Sequence, residues 1–275
     1  MLLTDVNPET GEAVLREALR QAQTVFGERL VSVYALGSLA HGGFSAHVSD
    51  VDVGLVLSDP LFDSDAAAVE KLNAAVKASG LALADRLSVF WGSPKTLAGE
   101  AQGGRYPPVD CLDLRENGRL LAGRDIRAAV AVPGTQSMVV SAARMALKNM
   151  ASAVVEAELR DPSALIRAGV RALTKRVLFP VRFVYTARTG RVGTNDAAVE
   201  YFTAAESGPA ALLARRAYEW RSAPYRQDDP RVQEVARAGL LPLYRLFIDD
   251  YTPRLQACGE TALAQGMREW RSRLE

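Results

Sequence analysis

The hydrophobic pattern of the chain changes once along its length. Up to about residue 130, short apolar runs alternate with stretches of helical periodicity. Runs rich in β-forming residues predict strands over 30–36, 51–57, 85–91 and, less regularly, 109–114. Helical spacing predicts helices over 8–27 and from Ser64 to Gly80. This part of the chain is therefore expected to fold as an α/β or α+β layer with helices beside a sheet.

From Met138 onward the periodicity is almost entirely helical. The predicted helices cover 138–159, 162–188, 194–204, 208–222, 230–249 and 258–274, with breaks at Gly and Pro. We therefore expect two domains: residues 1–130 with a mixed sheet and flanking helices, and residues 131–275 as an all-α helical bundle. The Gly-rich stretch 99–108 is expected to be a mobile loop.

Composition narrows the class of protein. The chain has 275 residues, of which 48% are hydrophobic and 24% charged, which is typical of a soluble globular protein. No run of about 18 apolar residues and no secretory signal pattern occur, so we expect no membrane association. Two cysteines without metal-like spacing favour a reduced, cytoplasmic protein. A net charge of +1 argues against general nucleic-acid binding.

One stretch combines residue types that are costly in an ordinary core: "LGSLAHGGFSAHVSDVD", residues 36–52. Gly37 and Ser38 follow the predicted strand 30–36, where a glycine lets the backbone approach a ligand. The helix expected to start at Ser38 would point its free N–H groups at a phosphate. Either residue alone is more often part of a plain turn.

Asp50 and Asp52 flank Val51 at the start of the next predicted strand. Side chains two residues apart on a strand point to the same face, so the two carboxylates are neighbours. Like charges this close are unfavourable unless a cation joins them. Oxygen ligands on a rigid strand suit Mg²⁺, which takes one or two carboxylates together with phosphates and waters. The pair is therefore the predicted metal site.

This combination resembles the motif of the polymerase-β-like nucleotidyltransferase superfamily. In that motif a Gly-Ser turn after one strand is followed by Asp-x-Asp at the start of the next. Residues 109–125 and 172–202 are further similar to aminoglycoside nucleotidyltransferases of the streptomycin/spectinomycin adenylyltransferase type. The resemblance covers most of the chain, is strongest over 36–58 and weakens after about residue 205. It implies a nucleotidyltransferase domain over 1–130.

The resemblance also implies a third carboxylate on the next strand, as metal ligand or as general base toward the acceptor hydroxyl. Asp85, at the start of the predicted strand 85–91, is the first candidate. Ser88 lies further along, where some relatives have the acid, and a serine cannot act as the base. Asp110 and Asp113 on the predicted strand 109–114 are the reserve candidates.

The helical half is expected to supply cations for a triphosphate. Arg167, Arg171 and Lys175 recur at intervals of four residues, which places them on one helix face. Arg182 and Arg191 match basic residues of the resembling family, while Asn195 stands where that family has another. Lys175, Arg182 and Arg191 are therefore the predicted triphosphate ligands. A solvated basic face is the alternative interpretation of these charges.

By resemblance, the expected activity is Mg²⁺-dependent transfer of a nucleoside monophosphate, typically AMP from ATP, to a hydroxyl of a small molecule, with release of pyrophosphate. An aminoglycoside acceptor would make the protein an antibiotic-resistance enzyme and would require an acidic pocket, for which the candidate acids are Glu156, Glu158, Asp228, Asp229, Asp249 and Asp250. The alternative is an antitoxin-like or regulatory protein that keeps the fold and acts on, or binds, a protein partner.

Overall fold

The computed structural model describes residues 7–275, which separate into two compact units. The first unit ends at Pro133, and the second spans Gly134–Glu275. Strands occur only in the first unit among the described residues, and the second is helical. A mixed sheet with flanking helices, followed by a helical region, confirms the predicted fold class.

The first unit combines four strands with five helices among the described residues. In chain order the elements are α1 (Pro8–Phe26), β1 (Leu30–Leu36), α2 (Ser38–His41), β2 (Val51–Leu57), α3 (Asp65–Lys77), β3 (Leu87–Gly92), α4 (Pro94–Leu97), α5 (Pro108–Asn117) and β4 (Arg119–Gly123). A 3₁₀ turn at Ala84–Arg86 leads into β3. The strands predicted at 30–36 and 51–57 are confirmed at both ends.

The sheet has the order β3-β2-β1-β4. Strand β1 pairs antiparallel with both β2 and β4, whereas β2 pairs parallel with β3. The parallel pair requires a crossover connection, which α3 provides. The central strands β1 and β2 are antiparallel, so the end of β1 lies beside the start of β2. Gly37 and Ser38, which follow β1, and Asp50, which precedes β2, therefore lie at the same end of the sheet.

The two faces of the sheet pack against different helices. Alternate residues of β2, Val51, Val53 and Leu55, are fully buried in a cluster with residues of α1 and α3. The opposite face forms a smaller cluster in which Tyr34 and Leu36 of β1 meet Leu114 of α5. Alternation along β2 therefore assigns Asp52 to the α5 side of the sheet.

The expectation of a strand over 109–114 is wrong. Residues 109–114 are helical, within α5, and the fourth strand is β4. The stretch 99–107 is a loop apart from a single bridge to β3, in which Trp91 and Arg105 exchange backbone hydrogen bonds of 3.2 and 2.7 Å and the Arg105 guanidinium donates to the carbonyl of Val89. These bonds tie the connection to β3.

The second unit consists of eight helices in the described chain: α6 (Thr135–Met150), α7 (Ala153–Arg160), α8 (Ser163–Arg167), α9 (Val170–Thr189), α10 (Asn195–Ala205), α11 (Pro209–Glu219), α12 (Pro230–Ala257) and α13 (Thr261–Arg273). The predicted helices 138–159 and 162–188 are each broken once, into α6 and α7 and into α8 and α9. Ser152 caps α7 through a hydrogen bond from the Val155 amide, and Gly169, at φ +100°, separates α8 from α9.

Helix α12 is longer than predicted and continues through Pro242 and Pro253. Each proline removes one helical hydrogen bond, a cost that burial of the helix offsets. Its aromatic residues Tyr244, Phe247 and Tyr251 are fully buried together with Trp270 of α13. The hydroxyl groups of Tyr244 and Tyr251 donate to carbonyls of α9, at Arg176 and Phe183, both at 3.0 Å.

Within residues 7–275, no single helix has the length and apolar character needed to cross a membrane. One pair of consecutive helices, α6 and α7, reaches that length and character together, but the pair is bent by 84°.

Candidate functional site

The corner between β1 and α2 is built around Gly37. This residue has φ +59° and ψ −148°, a conformation that is essentially restricted to glycine. A Cβ atom placed on Gly37 would lie 2.5 Å from Oδ2 of Asp52. The missing side chain therefore lets the backbone of the corner lie directly against the Asp52 carboxylate. Leu36, just before the corner, stands opposite Asp52 in the β1–β2 pair.

Ser38 begins α2 as expected, but the helix is only four residues long. The amides of Ala40 and His41 donate back to the carbonyl of Gly37, which closes the turn. So short a helix has little macrodipole to offer a phosphate. The Gly37 amide is already engaged, since it donates to Asp113. The Ser38 side chain is half-exposed and is the polar group that the corner presents.

The two predicted metal ligands lie at the start of β2. Asp52 is on the strand and Asp50 directly precedes it, and both are half-buried. The turn before Asp50 is closed by Ser45 and Ser49, whose amides donate to Ser49 Oγ at 3.0 Å and to the Ser45 carbonyl at 2.8 Å. Arg86 fixes the same turn by donating to the carbonyl of Ala46 at 2.7 Å. Sequence analysis did not single out Arg86.

Ser88 is the β3 residue that faces Asp52 across the parallel pair. Asp85 lies three residues earlier, exposed, in the 3₁₀ turn before β3. Directly opposed residues of neighbouring strands point to the same face, so Ser88 and not Asp85 shares the immediate surroundings of Asp52.

Helix α5 carries the two reserve carboxylates. Asp113 is buried, and its Oδ2 accepts a 2.9 Å hydrogen bond from the Gly37 amide. Its Oδ1 accepts from the side chain of Asn117, also at 2.9 Å. Asp110 lies one helical turn earlier and is half-buried. The structure thus brings Asp113, Gly37 and Asp52 together, from three separate segments of the chain.

The donor set at the start of β2 consists of hard carboxylate oxygens, which fits Mg²⁺. Glycine at position 37 is compatible with this fit, because a side chain there would clash with Oδ2 of Asp52. Within the described residues, however, no group of three acidic, histidine or cysteine side chains is arranged to hold a metal ion. The site therefore fits a cation that takes two protein carboxylates and its remaining ligands from substrate and water.

Tyr106 forms a wall of the same sheet face. Its hydroxyl lies over Gly54, two residues along β2 from Asp52, and its ring packs on Phe90 with centroids 5.9 Å apart. Burial raises the pKa of this hydroxyl well above its usual value, and nearby Cys111 and Asp110 add to the rise. No hydrogen-bond partner for the hydroxyl exists among the described residues. Nothing in the local sequence pattern pointed to this contact.

In the second unit, Arg182 of α9 is the centre of a built corner. Its Nε donates to the carbonyl of Gly193 at 2.5 Å, which ties the turn after α9 back onto the helix. A Cβ on Gly193 would lie 2.9 Å from the carbonyl oxygen of Arg182, so glycine allows this approach. Arg182 is half-buried and forms no ion pair with a described carboxylate.

The other predicted cations occupy different settings. Lys175 lies on α9 with its Nζ 5.9 Å from the ring centroid of Phe179. Arg191 is exposed, and its backbone amide donates to Thr189 Oγ1. Arg167 ends α8 and is separated from Arg171 by the break at Gly169, so the predicted four-residue stripe does not run along one helix.

Arg221, which sequence analysis missed, is the notable addition to this corner. It follows α11, is only 5% exposed, and interacts electrostatically with Arg182 and with Asp196 of α10. Burial, and then the positive charge of Arg182, lower its pKa to about 10.

The candidate acids of an aminoglycoside pocket are all neutralised by arginines. The ion pairs are Glu156–Arg273, Glu158–Arg176, Asp228–Arg226, Asp229–Arg231, Asp249–Arg271 and Asp250 with both Arg188 and Arg254. These acids therefore do not form a surface of uncompensated negative charge.

The sequence matches no protein-family profile and no curated protein. Among solved structures, the chain is similar to a spectinomycin adenyltransferase from Enterococcus faecialis that was crystallised with ATP and spectinomycin. The TM-score is 0.57 at 12% sequence identity, and the match covers 82% of this chain and 96% of the other. At this identity the likeness concerns the fold, and it spans both the sheet and the helical region. The chain therefore has a nucleotidyltransferase-like fold.

Proposed function

We propose that the protein is a nucleotidyltransferase that moves the nucleoside monophosphate of an NTP, with ATP as the expected donor, to a hydroxyl of a small molecule. The observation that carries the proposal is the Gly37–Asp52 corner: a glycine lets the backbone lie directly against a strand-borne carboxylate, beside a serine hydroxyl. The likeness in fold to an adenyltransferase solved with ATP and an acceptor supports it.

In the proposed mechanism Asp50 and Asp52 hold Mg²⁺, which would offset negative charge on the phosphates when bound. Ser38 donates its hydroxyl to the β or γ end of the triphosphate. Arg182, whose Nε donates to the Gly193 carbonyl, is proposed to bind the triphosphate through its terminal N–H groups. Lys175 and Arg191 add positive charge.

Asp85 is proposed to accept the proton of the acceptor hydroxyl, whose oxygen forms a bond to the α-phosphorus. The bond from the α-phosphorus to the bridging oxygen breaks, and pyrophosphate leaves with that oxygen. The acceptor is proposed to be a small hydroxyl-bearing compound. An aminoglycoside remains a candidate, although the ion-paired acids of the second unit do not favour recognition of a polycation. A cytoplasmic location, expected from the sequence, belongs to the same proposal.

The experiment concerns the paired carboxylates. Asp50→Asn and Asp52→Asn should each weaken Mg²⁺-dependent ATP binding at least about tenfold, because each removes an ionic contact worth about 1.5 kcal/mol or more. Transfer should fall further. Isothermal titration with ATP, in Mg²⁺ and in EDTA, measures the first effect, and pyrophosphate release with an acceptor panel measures the second. Asp63→Asn, an exposed carboxylate of the same unit, is the matched control. Binding of Mg-ATP by both variants at parental strength would refute the proposal.

A second candidate function has one observation in its favour. Ser88 stands beside Asp52 and cannot serve as a base. The proposed base, Asp85, is exposed and lies three residues before Ser88. A protein that binds nucleotide and acts on a protein partner, as an antitoxin-like or regulatory component, would need no base there. Tight Mg-ATP binding without pyrophosphate release for any small acceptor would favour this function.

A further inference from the structure

The buried carboxylate of Asp113 is the strongest feature that the mechanism above leaves unused. It is 6% exposed, on a helix that the sequence pattern did not predict. Both of its oxygens are engaged at 2.9 Å, one by the Gly37 amide and the other by Asn117 on the next turn of α5. A carboxylate bonded on both oxygens is fixed in orientation.

The partner of this carboxylate is Gly37, whose backbone conformation is open to glycine but rarely adopted by residues with a side chain. The turn of α2 engages the Gly37 carbonyl, and Asp113 engages the Gly37 amide. The residue is therefore held on both sides, with Asp52 Oδ2 against its Cα.

Two observations separate Asp113 from the roles of base and metal ligand. Each of its oxygens already accepts a protein hydrogen bond, and the residue is only 6% exposed, so little of the carboxylate is open to a substrate. The described residues contain no three-member ligand group, so Asp113 does not complete one with Asp50 and Asp52. Its effect on chemistry would have to pass through Gly37.

We propose that Asp113 is a positioning residue: it sets the Gly37 amide so that the Ser38 hydroxyl and the Asp52 carboxylate are presented together to the bound nucleotide. This inference rests on the proposed function for its ligand. It rests on the geometry alone for its claim about the Gly37 turn.

The test uses two variants that separate shape from charge. Asp113→Asn keeps the shape and an acceptor oxygen but loses the charge, and should bind Mg-ATP within about threefold of the parent. Asp113→Glu keeps the charge but moves the oxygens by one methylene, and should bind Mg-ATP about tenfold more weakly. In the absence of nucleotide, hydrogen exchange of the Gly37 amide should be faster in Asp113→Glu, by about tenfold, and unchanged in Asp113→Asn.

Asp65→Ala is the control for a general loss of stability. Asp65 is equally buried in the same unit, where it accepts hydrogen bonds from Arg29 and from the Phe62 amide. This variant should lose stability while its folded form binds Mg-ATP like the parent.

An Asp113→Asn variant that binds as weakly as Asp113→Glu, or a Gly37 amide that stays protected in Asp113→Glu, would overturn the inference. A parent that binds no nucleotide would refute the proposed function. In that case the exchange data would still decide whether Asp113 positions the turn.

Discussion

At the scale of single residues, the proposed role of Asp85 as the base toward the acceptor can be tested directly. Asp85 is exposed and lies three residues before Ser88, the residue opposite Asp52 on β3. Asp85→Asn removes the charge of this side chain and keeps its size. If Asp85 is the base, the variant should bind Mg-ATP within about threefold of the parent and lose transfer by roughly 10²–10⁴-fold. Pyrophosphate release with an acceptor panel measures the loss, and titration with Mg-ATP measures the binding.

The result also decides between acids. Release at the parental rate in Asp85→Asn would remove Asp85 from the mechanism and direct attention to Asp110, which is half-buried on the first turn of α5. A fall in nucleotide affinity together with transfer would instead make Asp85 a contributor to the metal site.

Residue identity was informative where one backbone conformation admits only one residue type. Gly37 was predicted to let the backbone approach a ligand, and in the structure its positive φ brings the backbone against the Asp52 carboxylate. The role of Asp113 was not predictable in the same way. Its partner lies 76 positions away in the chain, and the bond between them depends on where α5 packs.

At the scale of elements, the corner of α9 makes Arg182 the cation with the strongest case. Arg182→Ala should weaken Mg-ATP binding by about 1.5–3 kcal/mol, because a charged hydrogen bond to phosphate is lost along with the tie to Gly193. Isothermal titration at fixed salt measures the change.

A matched control lies on the same helix. Arg176 is paired with Glu158 at 2.6 Å, so Arg176→Ala removes an arginine that is already neutralised and should leave nucleotide affinity unchanged. If the parent and both variants bind Mg-ATP with equal affinity, Arg182 is a solvated cation and not a phosphate ligand.

The element that sequence analysis assigned wrongly is α5. Residues 109–114 have the mix of apolar and polar side chains expected of a short strand, and that local pattern favoured the prediction. The flanking residues carried the opposite signal: Pro108 occupies the first helical position and Gly118 follows the last. Terminal signals were therefore more reliable here than composition. In α12 they were less so, because the helix continues through Pro253.

At the scale of the whole molecule, acid stability should depend on a buried ion pair far from the candidate site. Asp65 is 2% exposed, and hydrogen bonds from Arg29 lower its pKa below the ordinary value of about 3.9. A carboxyl whose pKa is lower in the folded than in the unfolded chain stabilises the fold above its unfolded pKa, and this contribution is lost as the pH falls through its folded pKa.

The parent should therefore lose stability as the pH falls below about 4. Asp65→Asn should lose less over that range, because the variant already lacks the contribution of this carboxylate at neutral pH. Urea unfolding at pH 7, 5 and 3 measures the free energies. Glu17 also has a lowered pKa, about 2, but lies near the surface, where solvent screens its pair with Arg20. Parallel pH profiles for parent and variant would contradict the assignment to Asp65.

Topology at this scale was only partly predictable. The strand-to-helix change near residue 130 was visible in the periodicity. Along the chain, the boundary between the two units falls between Pro133 and Gly134. Strand order and direction were not, since the parallel register that sets Ser88 beside Asp52 is fixed by side-chain packing between distant segments.

The contact between Gly54 and the Tyr106 hydroxyl has a consequence for how this fold can diversify. The space that a side chain at position 54 would need is filled by the tyrosine oxygen. Positions 54 and 106 are therefore coupled by volume, although 52 positions separate them. An alanine at position 54 would require the side chain at position 106 to shift or to be shorter, so a change at 54 is tolerated only together with a change at 106. The sheet face beside Asp52 is thus sterically constrained at a position that takes no part in the proposed chemistry.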